Sequence, residues 1–204
     1  MASKSGFMKD ALVLFAITLV SGLCLGFVYD ITKGPIEQAT IDKNNRTYQE
    51  VLAAASSFQE IEGSSEKIAE LAASGELAGF GGVAIESVLT GSDAGGTTVG
   101  YVVNSLSNDS YGGAVKISVG FDADGTMTGV GILEINDTPG LGLKAKEADF
   151  KDQYLGKNVD SLVVNKMGAS AENEIDSISG ATITSNAVTN AVNAALYYLH
   201  NCMN

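Results

Sequence analysis

The sequence predicts an α+β chain in two unequal parts, a single N-terminal transmembrane helix and a domain with an antiparallel sheet flanked by helices. Three observations predict it. Ala11 to Tyr29 is a run of nineteen residues without a charge, bracketed by Asp10 and Asp30. Mid-chain segments rich in β-branched residues follow, separated by Gly, Asn and Asp clusters. The C-terminal stretch carries apolar residues at the three-four spacing of one buried helix face. A length of 204 residues suits one sizeable domain plus an appendage.

The uncharged run reaches about 28 Å as a helix, close to the thickness of a bilayer core. A cleaved signal peptide would end in a small-residue site, whereas Asp30-Ile31-Thr32-Lys33 follows here, so residues 10–29 are expected to stay as an anchor. Ser21-Gly22-Leu23-Cys24 approaches a lipid-attachment site, but Leu23 is bulky where a small residue is needed. Residues 1–9 form a tail with Lys4 and Lys9; beyond the anchor, Lys33, Lys43 and Arg46 are mixed with Asp30, Glu37 and Asp42. Positive charge inside places that tail in the cytoplasm, making a single-pass protein of the cell (inner) membrane with its C-terminal domain on the extracytoplasmic side. Ser21, Gly22 and Gly26 would allow close contact with other membrane helices.

Pro35 to about Ile61 reads as a helix leaving the membrane, with Pro35 in its first turn. Ser64 to Ser74 gives a second helix, with Ser64 or Ser65 as its cap and Ile68, Leu71 and Ala72 on one face. Residues 30–75 are thus a helical stalk and domain edge, and 76–204 the main domain. Strand signals occupy residues 81–89, 97–106, 113–122 and 126–135. Asp122-Ala123-Asp124-Gly125 reads as a hairpin turn; a calcium loop would need further ligands and a distal glutamate. Lys146 to Tyr154 looks helical and residues 161–166 strand-like. The last helix is expected from about Thr184 to Asn201, burying Ala187, Val188, Ala191, Val192, Ala195, Leu196 and Leu199.

Residues 30–204 hold 23 of the 24 acidic and 10 of the 12 basic residues, a net charge of about −13, which excludes a nucleic-acid partner. Cys24 in the anchor and Cys202 near the end form no disulfide framework, and no metal-ligand spacing is present. His200, the single histidine, sits near the end of the last helix as a surface residue.

Residues 176–185, DSISGATITS, crowd small hydroxyl side chains at the start of that helix. Gly180 relieves steric limits on the backbone, Ala181 leaves room, and Thr182 presents a hydroxyl where the first amides lack partners. Such a helix start suits an anion such as a phosphate. Alternatively, Thr182, Thr184 or Ser185 simply caps the helix. Spacing leaves both readings open. Lys144, Lys146 and Lys166 are either anion partners or solvated lysines.

SGATITS resembles the S/T-G-A-T signature of FMN-binding domains in which the flavin is joined by a phosphoester to the final threonine, here Thr182. Residues 111–142, YGGAVKISVGFDADGTMTGVGILEINDTPGLG, resemble the other hallmark of that family, and the two motifs lie about forty residues apart. Together with the single anchor they resemble the G subunits of the Rnf complex, a membrane enzyme that passes electrons between ferredoxin and NAD while moving sodium ions or protons.

The resemblance implies a covalent FMN on Thr182, placed there by a flavin transferase that uses FAD and a divalent metal, with Ser179, Gly180, Ala181 and Thr184 around the phosphate. It implies that Thr138, Pro139, Gly140, Leu141 and Gly142 lie beside the flavin ring. The chain would then be an electron-carrier subunit of a redox-driven ion translocase, without catalytic residues or a metal of its own, docked on other membrane subunits. Two positions depart from the family pattern: Asp137 stands where Glu is common, and Ile135 where a histidine is frequent. The related C-type subunits of the sodium-pumping NADH:quinone reductase share the S-G-A-T pattern. A reductase acting on a small substrate would need acid or base groups that the sequence does not supply. A non-redox membrane-anchored binding module would carry no flavin.

Overall fold

A computed structural model describes residues 4–203, with side chains from Gly6 onward. Residues 1–3 of the expected tail, and the Lys4 charge that helps orient it, lie outside what is described. The chain divides into two compact units, residues 1–43 and 44–204.

The first element is one helix, α1 (Lys4–Val51), 48 residues long. It does not stop after the apolar run and restart at Pro35, as the sequence suggested, but carries Pro35 in its interior. Proline removes one backbone donor there and Gly34 precedes it, yet the helix runs through both. Thr32 and Thr40 hydroxyls donate back to the Val28 and Ile36 carbonyls, each at 2.9 Å, which a helix accommodates. By length and composition α1 contains a stretch able to cross a membrane. Within it Phe15, Leu19, Leu23 and Phe27 are all exposed.

The helix ends at Val51, ten residues before the expected Ile61. Ala53 to Ala55 favour helix, but tertiary pairing wins: Ser57–Glu60 form strand β1 against β2 (Val83–Ser92), with Phe58 opposite Gly91. Helix α2 (Ser64–Ser74) forms where expected, yet its cap is Gly63 with a left-handed backbone, and the Ser64 hydroxyl is buried without a hydrogen-bond partner. Strands β3 (Thr98–Ser110), β4 (Gly113–Asp122) and β5 (Met127–Ile135) complete a five-stranded antiparallel meander in the order β1-β2-β3-β4-β5. The β4–β5 turn is the hairpin read from the sequence, with Asp122 Oδ1 accepting from the amides of Asp124 and Thr126 at 3.0 and 2.9 Å.

Each face of the sheet has its own cover. Helix α4 (Thr182–Cys202) buries Ala187, Val188, Ala191, Val192, Ala195 and Leu196 in one core with Val103, Val115, Ile117 and Val119, while Leu199 is only partly buried. The Ser105 hydroxyl ties β3 to this helix by donating to the Ala191 carbonyl at 2.8 Å. Tyr48, Val51, Leu52 and Ala55 form the second core, with Val102 and Leu133. Close approach there depends on glycine: a Cβ on Gly120 would run into the Val51 carbonyl, and one on Gly131 into the Thr47 side chain.

Between β5 and α4 the chain makes a 3₁₀ turn (Gly142–Lys146), the short helix α3 (Ala148–Lys151) and a second 3₁₀ turn ending at Tyr154, close to the helix read over 146–154. Strand β6 (Val163–Asn165) falls inside the expected segment. Its parallel partner β7 (Glu174–Asp176) was not foreseen, since three residues are too few to show alternation. Asn193 of α4 fixes this region by accepting from the Leu162 amide at 2.7 Å and donating to its carbonyl at 2.9 Å.

A cleft at the start of the last helix

A tight turn delivers Thr182. The Ile178 carbonyl accepts from the Ala181 amide at 2.9 Å, and Gly180 sits between them with φ of 77°. That sign of φ is what the third position of such a turn demands, so glycine is the natural choice. Thr182 is the first residue of α4, two positions earlier than expected, and Ala181 is its cap with no side-chain hydrogen bond.

The capping alternative therefore fails for all three hydroxyls. Thr184 Oγ1 donates to Asp137 Oδ2 at 2.5 Å. Ser185 Oγ donates to the Ala181 carbonyl at 3.0 Å and accepts from the Ile178 amide at 2.9 Å, inside the turn. Helix geometry leaves the amides of Thr182, Ile183 and Thr184 without intrahelical partners, at the positive end of the helix dipole.

Those amides face a cleft of about 480 Å³, within the roughly 300–1,000 Å³ range of small-molecule sites. Thr138, Leu141 and Gly142 line one side, and Gly180, Ala181, Thr182 and Thr184 the other, so the two sequence motifs meet in space. Three expected residues are not on the lining. Pro139 and Gly140 shape the loop, where Gly140 has φ of 76°. Ser179 is exposed and belongs to a neighbouring groove that also holds Lys144. Thr184 is on the wall, but its hydroxyl is spent on Asp137 and is not a phosphate donor.

Tyr111, Asp137 and Ile183 also line the cleft, although the sequence did not single them out as site residues. Tyr111 opens the 111–142 segment and Asp137 precedes TPGLG, so motif position could have flagged both; Ile183 carried no signal. Leu141, Ile183 and Tyr111, at 43%, 55% and 73% exposure, give the cleft an apolar rim. Ile135, by contrast, is buried in the main core. Lys146 and Lys166 are exposed and off the lining. His200 lies 3.8 Å from Asp160, and both cysteines are free.

Among the described residues, Asp137 is the one ionisable acid or base group on the lining apart from the Tyr111 phenol. Burial pushes its carboxyl pKa up, but hydrogen bonds from Thr184 Oγ1, the Thr138 amide, Ser110 Oγ and the Gly112 amide outweigh that and hold it below the ordinary carboxylate value. The Thr138 and Ser110 bonds are 2.7 and 2.9 Å. Gly142 is required beside it, because a Cβ there would overlap the carboxyl group.

The cleft thus offers a hydroxyl, a set of free amides and an apolar rim. Those groups fit a planar aromatic ligand bearing a phosphate. No cluster of three or more His, Cys, Asp or Glu able to hold a metal occurs among the described residues.

Fold and cleft together define a flavin-type binding domain, and residues 110–197 match the FMN-binding domain family. Over 95% of its length the chain is 36% identical to the G-type member of the Na(+)-translocating ferredoxin:NAD(+) oxidoreductase complex of Acetobacterium woodii, covering 91% of that protein. It is 31% identical to the proton-translocating counterpart of Clostridium ljungdahlii, over 92% of each chain. The chain belongs to the family of G subunits of Rnf-type ion-translocating oxidoreductase complexes. A solved structure of the C-type member of the Na(+)-translocating NADH-quinone reductase from Parabacteroides distasonis shares the fold, with a TM-score of 0.54 at 20% identity over 79% of this chain and 93% of that one.

Proposed function

We propose that the chain is a membrane-anchored flavoprotein that relays electrons within an Rnf-type ferredoxin:NAD oxidoreductase, through an FMN joined by a phosphoester to Thr182. The observation that carries this reading is the placement of Thr182: an uncapped helix start, with partnerless amides, opening on a cleft whose opposite wall is the Thr138–Gly142 loop. The full-length similarity to G subunits supplies the complex.

Flavin, when bound, supplies the electron-accepting chemistry. The chain's own residues hold it. Amides of Thr182, Ile183 and Thr184 are the donors at hand for a phosphate, Gly180 and Ala181 keep the approach to the Thr182 hydroxyl open, and Leu141, Ile183 and Tyr111 give apolar surface for a ring. Among the described residues, no Lys, Arg or His lines the cleft. A free phosphomonoester carries about −1.5 to −2 charges at neutral pH, which uncharged amides beside Asp137 would retain poorly. A phosphodiester to Thr182 carries one charge and cannot diffuse away. Attachment also explains why no base stands beside Thr182, since a flavin transferase would bring the chemistry of bond formation.

The anchor is α1, whose exposed apolar side chains call for a lipid or protein cover. Positive charge on the tail favours a domain on the extracytoplasmic side, docked on other membrane subunits. A test replaces the chain by Thr182→Ala in the intact complex. The expected result is an assembled complex without this subunit's flavin and with ferredoxin-dependent NAD reduction lost. Full NAD reduction by the variant complex would overturn the relay.

A further inference from the structure

Three chain segments far apart in sequence converge on the Asp137 carboxylate. Ser110 ends β3 and Gly112 lies in the turn that follows it, Thr138 and Gly142 come from the loop after β5, and Thr184 from the first turn of α4. Each bond to it is charge-assisted, and together they are the polar tie between the two walls of the cleft. Thr184 sits 1% exposed, so its hydroxyl has no water to fall back on. The carboxylate also faces a cleft whose described lining includes no cation.

We propose that Asp137 is a positioning residue for the cofactor site: it locks the first turn of α4 against the Thr138–Gly142 loop so that Thr182 faces the cleft, and its charge favours the oxidised form of a bound flavin. This rests on the reading that FMN is attached at Thr182. Reduction adds electrons next to a fixed negative charge in a partly desolvated cleft, and that costs free energy. The tie works on the bare chain too, because it concerns where Thr182 points before any cofactor arrives.

The test uses the full chain in detergent, as wild type, Asp137→Asn, Asp137→Glu and Thr184→Val, each produced with and without a flavin transferase. In the flavin-free chains, amide hydrogen exchange of residues 185–187, whose amides make the first intrahelical bonds of α4, should quicken at least about threefold in Asp137→Asn and Thr184→Val. The rate of flavin attachment should fall several-fold in the same two variants and recover in Asp137→Glu. Where flavin is attached, dithionite titration should show the Asp137→Asn flavin reduced at a higher potential than in wild type or Asp137→Glu, by at least about a threefold change in the oxidised-to-reduced ratio at fixed potential.

Wild-type exchange and attachment rates in both Asp137→Asn and Thr184→Val would overturn the positioning role. Equal potentials in Asp137→Asn and Asp137→Glu would overturn the charge role. A wild-type chain that acquires no flavin from a competent transferase would instead sink the attachment reading itself, and the exchange rates of the flavin-free chains would still decide whether Asp137 locks the helix start.

Discussion

At Asp137, burial and hydrogen bonding pull the same carboxyl group in opposite directions, and hydrogen bonding wins. Its pKa is lower folded than unfolded, so the folded state binds fewer protons there. The resulting stability is present above the unfolded value, about 3.9, and is lost as pH falls through the depressed folded value. Asp137→Asn should therefore lower the melting temperature at pH 7, and its deficit relative to wild type should shrink as pH falls below about 4, which thermal unfolding at a series of pH values would show. Thr182, Gly180, Leu141 and Gly142, expected at the site from the family resemblance, do line the cleft; the small residues and the Pro-Gly loop alone left a plain helix cap and an ordinary turn open. Ser179, Pro139 and Gly140, also expected there, lie off the lining, because a turn projects successive residues to different sides and one-dimensional order does not say which. The Thr184–Asp137 bond spans 47 residues and leaves no local trace.

Helix α1 reaches the sheet through glycines, and the second core closes only because Gly120 lets the Val51 carbonyl approach. Gly120→Ala puts a methyl group where backbone already lies, so it should destabilise the domain by about 1–3 kcal/mol, read from denaturant unfolding. Asn193→Ala would strip partners from the amide and carbonyl of Leu162, itself 3% exposed. At roughly 1–3 kcal/mol for each of the two buried unsatisfied groups, a loss of about 2–6 kcal/mol is expected in the same measurement. The four long strands and α4 were legible because each carries enough residues to show its period. The end of α1 was not, because alanines that favour helix are overruled by pairing with β2, and β7 was too short to be seen.

For the whole molecule, the apolar half of α1 sets the fractionation behaviour. The chain should sediment with membranes, resist alkaline carbonate extraction and be released by detergent, while a version starting at Asn44 should stay in solution. With the domain on the extracytoplasmic side, protease added to intact spheroplasts should digest it; protection there would reverse the orientation. The single uncharged run was enough to read from the sequence a helix long and apolar enough to cross a membrane. The union of the two motifs in one cleft was implied by the family resemblance and not by residue patterning, since it depends on how α4 crosses the sheet.

The central claim is the bond at Thr182, and mass analysis of the denatured chain tests it most directly. After coproduction with a flavin transferase, cleavage following Glu174 isolates the segment from Ile175 onward. Fragmentation should place the mass of FMN, less one water, on Thr182, and Thr182→Ala should carry none. An unmodified wild-type segment, or the same mass on Thr184 or Ser185, would contradict the account.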